Sequence, residues 1–235
     1  MLADRVRINS KIELDEYTKA LLHFNGSHGS KVFKDEIETN IWTPGANAEI
    51  RTNISKFGGA SGYFSGDSTS LLRTPGSLIA LSSYFTIDFW FYAPTDLYSK
   101  YICGQGDGTA VISSNVLDIG TDGESKLECS LFGNRSGSYA YEIIRGITTV
   151  TTNAWHHVAM VRSYNTLRLF LDGISQGWVG LSSLTANYLP AKDFVIGQFG
   201  NSTAMTYYNG YIDEFRLSIG IARWTADFTP PNREY

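Results

Sequence analysis

Phe85-Thr86-Ile87-Asp88-Phe89-Trp90-Phe91-Tyr92 carries an apolar side chain at every second position for eight residues, a period that fits an extended strand and not a helix. Successive side chains of a strand point to opposite faces, so Phe85, Ile87, Phe89 and Phe91 form one unbroken core face, with Thr86, Asp88, Trp90 and Tyr92 on the other. The same period returns in Leu167, Leu169 and Leu171, and Asp172-Gly173 follows as a hairpin turn because both residues tolerate positive φ. It returns again after Gly210: Tyr211, Asp213, Phe215 and Leu217 read as one face, opposite Ile212, Glu214 and Arg216. Asp213 then sits among apolar neighbours and needs a partner.

No apolar stripe of helical period and length competes; Asp15 to Leu22 offers about two turns at most. Short apolar runs bounded by Gly, Asn, Asp and Ser clusters recur instead, as in an all-β sandwich. With 235 residues, 43% hydrophobic and 14% aromatic, the chain has enough apolar surface for two packed layers in one domain.

The net charge is −4 and the Lys and Arg residues are scattered. That leaves no footprint for a phosphate backbone and argues against nucleic acid as a partner. Met1 to Arg7 lacks the apolar core of a signal peptide, and no window is long enough to span a bilayer. The expectation is a protein not exported by a cleaved signal and without membrane insertion. Four sequons, at Asn25, Asn53, Asn134 and Asn201, then stay unmodified, since such triplets arise easily in Gly/Ser/Thr/Asn-rich loops. Cys103 and Cys129 read as reduced, buried thiols, because one possible pair is no disulfide framework.

Three zones follow from composition: a charged arm over residues 1–20, a β body over 21–231 and a tail over 232–235. In the arm, Val6, Ile8, Ile12 and Leu14 fall on even positions while Arg5, Arg7, Lys11, Glu13 and Asp15 interleave. This is an extended segment, able to add as a strand to a neighbouring subunit. Those four apolar residues are the candidate assembly contacts.

Several landmarks occur in order: Leu21-Leu22-His23-Phe24-Asn25-Gly26-Ser27, Phe33-Lys34-Asp35, Lys56-Phe57-Gly58-Gly59-Ala60-Ser61-Gly62-Tyr63-Phe64, Phe85 to Trp90, and Asn153-Ala154-Trp155-His156-His157-Val158-Ala159. The last is Gly210 to Arg216 with its sequel, Gly220-Ile221-Ala222-Arg223-Trp224 and Phe228-Thr229-Pro230-Pro231. Together they make the chain, from about Leu21 to Pro231, resemble the laminin-G-like, concanavalin-A-like jelly-roll domain of tailed-bacteriophage virion proteins. The resemblance implies two antiparallel sheets of about six or seven strands each, packed face to face. It also implies a structural calcium, with Asn25, Asp35 and Asp213 at positions that would supply its oxygen ligands.

A retaining glycosidase needs two carboxylates about 5 Å apart. Asp88 and Asp213 lack an acidic partner on their own faces, and Glu124 and Glu128 share a face with Lys126 between them, which reads as a solvated, ion-paired surface. His156 and His157 point to opposite sides of a strand and cannot ligate one ion, and His23 and His28 lack matching ligands. No Gly-x-Ser-x-Gly elbow is present and Cys103 has no evident His partner. The chain therefore offers no catalytic residues. Sugar recognition would use exposed aromatic platforms near loops, for which Trp42, Trp178, Tyr207 and Tyr208 are the candidates.

The expected function is a non-enzymatic virion component, assembled in the host cytoplasm. It would decorate a capsid or tail as a homo-oligomer, anchored to other virion proteins through its arm. The alternative is a carbohydrate- or receptor-binding module for host surface glycans, with a glycoside hydrolase third.

Overall fold

The computed structural model describes residues 14–78, 81–107, 112–187, 189–199 and 206–235. Among them the strands, in chain order, are Thr18–Leu22 (β1), Thr43–Pro44 (β2), Ala48–Arg51 (β3), Ser61–Ser65 (β4), Leu72–Thr74 (β5), Tyr84–Tyr92 (β6), Lys100–Gly106 (β7), Asn115–Thr121 (β8) and Lys126–Arg135 (β9). They continue with Ser138–Thr149 (β10), Trp155–Ser163 (β11), Thr166–Leu171 (β12), Ile174–Gly180 (β13), Thr185–Ala186 (β14), Phe194–Ile196 (β15), Thr206–Tyr207 (β16) and Asn209–Ile219 (β17).

These strands form two sheets that make a jelly-roll sandwich. Sheet A has eight strands in the order β13-β12-β11-β6-β17-β4-β3, with β1 also on β17. Sheet B has nine, in the order β10-β9-β8-β7-β15-β5-β2, with β14 on β9 and β16 on β7. The counts exceed the expected six or seven because the five-residue β1 joins sheet A and the two-residue β2, β14 and β16 join sheet B. Pairing is antiparallel except where β16 runs parallel to β7, setting Tyr207 beside Tyr101.

The core lies between the sheets. Phe85, Ile87, Phe89 and Phe91 of β6 are fully buried in it, as are Val158 and Met160 of β11 and Leu167 and Leu169 of β12. Sheet B contributes Leu117, Ile119, Leu127, Cys129, Leu131, Phe194 and Ile196. Each large apolar side chain so buried contributes about 1.5–3 kcal/mol. Cys103 and Cys129 are buried and free, and burial raises both thiols well above their ordinary pKa.

Asp172 and Gly173 both take positive φ, 50° and 79°, and close the β12–β13 hairpin. Gly173 also has a close neighbour: a Cβ there would lie 1.9 Å from the Phe228 carbonyl oxygen.

Two expectations fail locally. Thr18 to Leu22 is strand and not helix: Asp15 accepts from the Thr18 amide (3.0 Å) and hydroxyl (2.8 Å), and β1 then runs along β17. The domain expected to begin at residue 21 thus takes its first strand from residue 18. In β17 the register with β6 shifts between Asp213 and Arg216, and Glu214 takes φ 51°. Such a bulge resets the alternation. Before it Ile212 faces the core while Tyr211 packs outside on Tyr63; after it Phe215 and Leu217 face the core. Tyr211 and Phe215 therefore lie on opposite faces.

After β17 the chain crosses the outer face of sheet A. Trp224 and Phe228 stack at 4.0 Å and, with Ala222, cover Ala159, Val161 and Phe170. Thr86 anchors this segment, its hydroxyl accepting from the Arg223 amide (3.0 Å). Arg223 in turn bonds Asp15 at 2.8 Å, tying the start of β1 to it.

Candidate functional site

The segment after β17 seals the outward residues of β6 into a polar network. Arg216 grips Asp88 with two bonds of 3.1 Å, the Tyr235 hydroxyl donates to the same carboxylate, and His157 Nε2 lies 3.5 Å away. Burial alone would raise the Asp88 pKa, but Arg216 and His157 outweigh it and hold it at about 2. The Arg216 guanidinium also sits 3.6 Å from the Tyr235 ring centroid. Asp88 is a buried counter-ion inside a closed layer. His156 and His157 face opposite sides as expected, His156 bonding Asp172 at 2.7 Å.

The residues expected to hold calcium do not fit that ion as placed. Asp35 accepts four N–H donors at 2.8–2.9 Å, from Leu21, Ile37, Asn40 and Trp42. Asp213 accepts from the amides of Lys56 (2.8 Å), Phe57 (3.1 Å) and Glu214 (3.0 Å). Asn25 donates to Glu234 at 2.9 Å. In Asp35 and Asp213, N–H donors already occupy the oxygens that Ca²⁺ would need. Among the described residues no three His, Cys, Asp or Glu side chains are grouped to hold a metal.

Two of the four proposed sugar platforms are core residues. Trp42 is buried edge-on against Phe194 and Phe215, its indole N–H spent on Asp35. Tyr208 is fully buried and donates to the Tyr92 (2.9 Å) or Tyr211 (3.1 Å) carbonyl oxygen. Both are amphipathic rings whose polar atom finds its partner inside, which local sequence does not reveal. Trp178 is 71% exposed on β13, and Tyr207 is half-buried beside Tyr101. Of the arm residues, Val6, Ile8 and Ile12 lie outside the described residues, and Leu14 is half-buried. Glu124 falls in the turn before β9, bonded to Lys126, so it shares no strand face with Glu128.

Tyr207 leads to the surface that the sequence reading missed, the outer face of sheet B. Leu127, Cys129 and Leu131 point inward from β9, leaving Glu128, Ser130 and Phe132 outside. Across this face runs an aromatic row: Tyr141 stacks on its cross-strand partner Phe132 at 5.6 Å, Phe132 on Phe199 at 6.4 Å, and Phe199 meets Tyr101 at 5.5 Å. Gly104 of β7 seats Phe199, because a Cβ there would lie 2.4 Å from its ring. Tyr141 is 47% exposed and Phe132 and Tyr101 are half-buried, while Phe199 is buried.

Asp118 of β8 stands directly opposite Gly104 on one side and Ser130 on the other, beside Phe199. Burial pushes its carboxyl up to about 8, with the Glu128 charge adding and bonds from Ser130 opposing. Glu128, raised by its own burial, pairs with Arg145 at 2.9 Å. Tyr101 is pushed up to about 12 by burial and by the two acids. Further along the face, toward β15 and β5, Arg73, Asp107, Lys192 and Asp193 line a cavity of about 240 Å³. A phenylalanine on the polar face of an alternating strand, Phe132 following Leu127, Cys129 and Leu131 on the opposite face, was the one available signal for this surface.

Residues 64–219 match the laminin G family described as the concanavalin A-like lectin/glucanases superfamily. No curated protein matches the chain in sequence. Among solved structures, the binding domain of Paraclostridial Mosquitocidal Protein 1 superposes with a TM-score of 0.64 at 14% identity, covering 88% of this chain and 49% of that one. The Botulinum neurotoxin serotype G binding domain gives 0.60 at 11% identity, covering 90% and 48%. Domain 4 of AbnA, an extracellular arabinanase from Geobacillus stearothermophilus in complex with arabinotriose, gives 0.58 at 17% identity, covering 87% and 93%. The chain thus spans about half the length of the two toxin chains. The likenesses are of fold; the family match extends over most of the sandwich, and the chain belongs to the concanavalin A-like lectin/glucanase superfamily.

Proposed function

We propose that this protein is a non-catalytic binding module that takes a glycan on the outer face of sheet B. The observation that carries the reading is the aromatic row Tyr141-Phe132-Phe199-Tyr101, open at Tyr141 and Phe132, on a face whose accessible outward groups, Glu128 and Arg145, can exchange hydrogen bonds with hydroxyls, while Phe199, Asp118 and Ser130 lie buried in it. Ring faces offer apolar area to the C–H side of a sugar while flanking polar groups fix its orientation. The corresponding face of sheet A is largely covered by Trp224, Phe228 and Tyr235. That the fold's neighbours include toxin binding domains and an arabinanase domain solved with arabinotriose supports the reading. Catalysis is not part of it, since Glu128 is held by Arg145 and Asp88 by Arg216.

The phage-type landmark motifs support a virion as the setting. There the module would decorate a capsid or tail, joined to its neighbours or to other copies through residues that precede β1, and would engage host surface glycans with the particle supplying avidity.

A glycan array followed by titration with the best neutral oligosaccharide tests the site. Tyr141→Ala and Phe132→Ala are each expected to weaken binding roughly 5- to 50-fold, in line with the loss of one aromatic contact. Tyr141 is the cleaner probe, being the more exposed of the two. An array with no bound glycan, or affinities untouched by both replacements, overturns the reading.

A further inference from the structure

Arg168 is a cation without a counter-ion among the described residues, and one of its guanidinium nitrogens is buried without a partner. It lies on β12 between Leu167 and Leu169, both fully buried in the main core, so its side chain emerges on the outer face of sheet A. Its Nη1 is buried and has no hydrogen-bond partner among the described residues, and no ion pair or ring contact engages the guanidinium. Directly across the strand pair stands Trp178, 71% exposed, the largest side chain the surface shows. The other cross-strand neighbour of Arg168 is Val161 of β11. The segment after β17 covers Phe170, two residues further along β12, with Phe228 at 5.4 Å, and Asp227 is occupied by the Ser175 amide.

Neither feature is explained by folding. A half-buried guanidinium with an unsatisfied nitrogen costs stability, since each lost bond to a buried donor leaves its desolvation uncompensated. An indole facing water brings no core contact. Directly opposed residues on one face of an antiparallel pair have Cβ atoms about 4.5–5.5 Å apart, so one ligand ring can touch both. The guanidinium is a planar fork matched to a carboxylate, and the indole is a flat apolar plate.

We propose that Arg168 and Trp178 form a second ligand site, on the sheet opposite the aromatic row, for a carboxylate-bearing pyranose: the carboxylate on Arg168, the sugar's C–H face on Trp178. The choice of a sugar over an acidic peptide rests on the glycan-binding reading above; the unpaired cation beside an exposed indole does not. Uronic and sialic acids share this chemistry and differ in the bulk around the carboxylate.

The test is calorimetric titration of the intact protein with oligogalacturonate and with sialyllactose, each against a neutral counterpart, and with poly-glutamate as the peptide arm. Acidic sugar is expected to bind. Arg168→Gln and Trp178→Ala are each expected to weaken that binding roughly 10- to 100-fold, the range of one charge-assisted pair or one anchoring aromatic. Arg168→Lys, which keeps the charge and loses the fork, is expected to weaken it nearly as much. Neutral glycan on the other sheet keeps its affinity in all three variants. Which acidic sugar responds distinguishes the uronate from the sialate source. Urea unfolding adds a readout that a structural role would move the other way: Arg168→Met should leave the midpoint unchanged or raise it. Acidic-sugar binding indifferent to Arg168→Gln, binding of poly-glutamate in place of the sugars, or a lowered midpoint for Arg168→Met each overturn the proposal, while leaving the sheet B reading to its own test at Tyr141.

Discussion

Arg216→Met removes the cation that holds Asp88 beneath the segment after β17. Asp88 is fully buried, and the Arg216 side chain is 11% exposed. After the substitution the carboxylate keeps, among the described residues, the Tyr235 hydroxyl and a His157 contact of 3.5 Å. Stranding one member of a buried pair costs about 3–5 kcal/mol. A second measure comes from the Asp88 pKa, held at about 2 against an ordinary value of 3.8; at about 1.4 kcal/mol per unit this contributes roughly 2.5 kcal/mol. The figures answer different questions, the first counting the stranded anion and the second only the preference of the intact site for the charged form. The larger one governs the single variant.

In urea, with a slope near 3 kcal/mol/M for a chain of this size, a loss of 4 kcal/mol moves the midpoint by about 1.3 M. Asp88→Asn should cost less, and the double variant should fall short of the sum by about 1–3 kcal/mol, the coupling of two groups in contact. The pH dependence has a definite sign. Because the folded pKa lies below the unfolded one, the stabilisation is complete above about pH 4 and fades as the pH falls toward 2. The gap between wild type and Arg216→Met should therefore narrow across that interval. A gap constant from pH 7 to pH 2.5, or strictly additive single variants, would show that Asp88 and Arg216 do not act as a pair.

Asp118 has the opposite sign: with a folded pKa of about 8, wild type should lose stability as pH rises from about 4 to 8, by up to about 4 kcal/mol at pH 7. Asp118→Asn should flatten that slope in thermal midpoints measured from pH 4 to 9, and an unchanged slope would place the titration elsewhere. Gln176 staples the two sheet edges, its Oε1 accepting from the amides of Ile147 (3.2 Å) and Thr148 (3.0 Å) of β10. Gln176→Ala should cost about 1–3 kcal/mol and speed hydrogen exchange at those two amides, whereas unchanged protection there would mean that β10 holds its edge without the staple.

The strands with strict alternation were readable because period-two patterning and a buried face are the same fact; β6 and the Asp172-Gly173 hairpin are examples. β17 was half readable. Its bulge depends on Glu214 taking a left-handed conformation, stabilised by His23 at 2.8 Å and by the Tyr235 amide at 2.9 Å, partners 191 and 21 residues away in sequence. Trp42 and Tyr208 were misread for a related reason. A ring beside a turn looks exposed until a distant acceptor, Asp35 for one and the backbone around Tyr92 and Tyr211 for the other, takes its polar atom. The aromatic row of sheet B draws on β10, β9, the segment after β15, and β7, so no single stretch of sequence contains it.

The buried acids differ in what their oxygens hold. Asp213 and Asp118 are both buried and both pushed up to about 8, so burial and pKa do not tell them apart. Their partners do. Asp213 spends its oxygens on three backbone amides that close the Lys56–Phe57 turn onto β17, Asp35 spends its own on four donors, and Glu214 on His23 and the Tyr235 amide. In each case removing the acid would orphan several buried N–H groups, which is the signature of a structural carboxylate. Among the described residues Asp118 is bonded by Ser130 alone, through its hydroxyl and amide, and it lies buried beside the aromatic row, 4% exposed. Removing it frees only the Ser130 hydroxyl and amide, fewer donors than Asp213 or Asp35 holds, and its protonated carboxyl lies buried next to the Phe199 ring. Asp118 is thus the buried acid with the fewest structural partners, and its place beside the row is consistent with the glycan site proposed on sheet B.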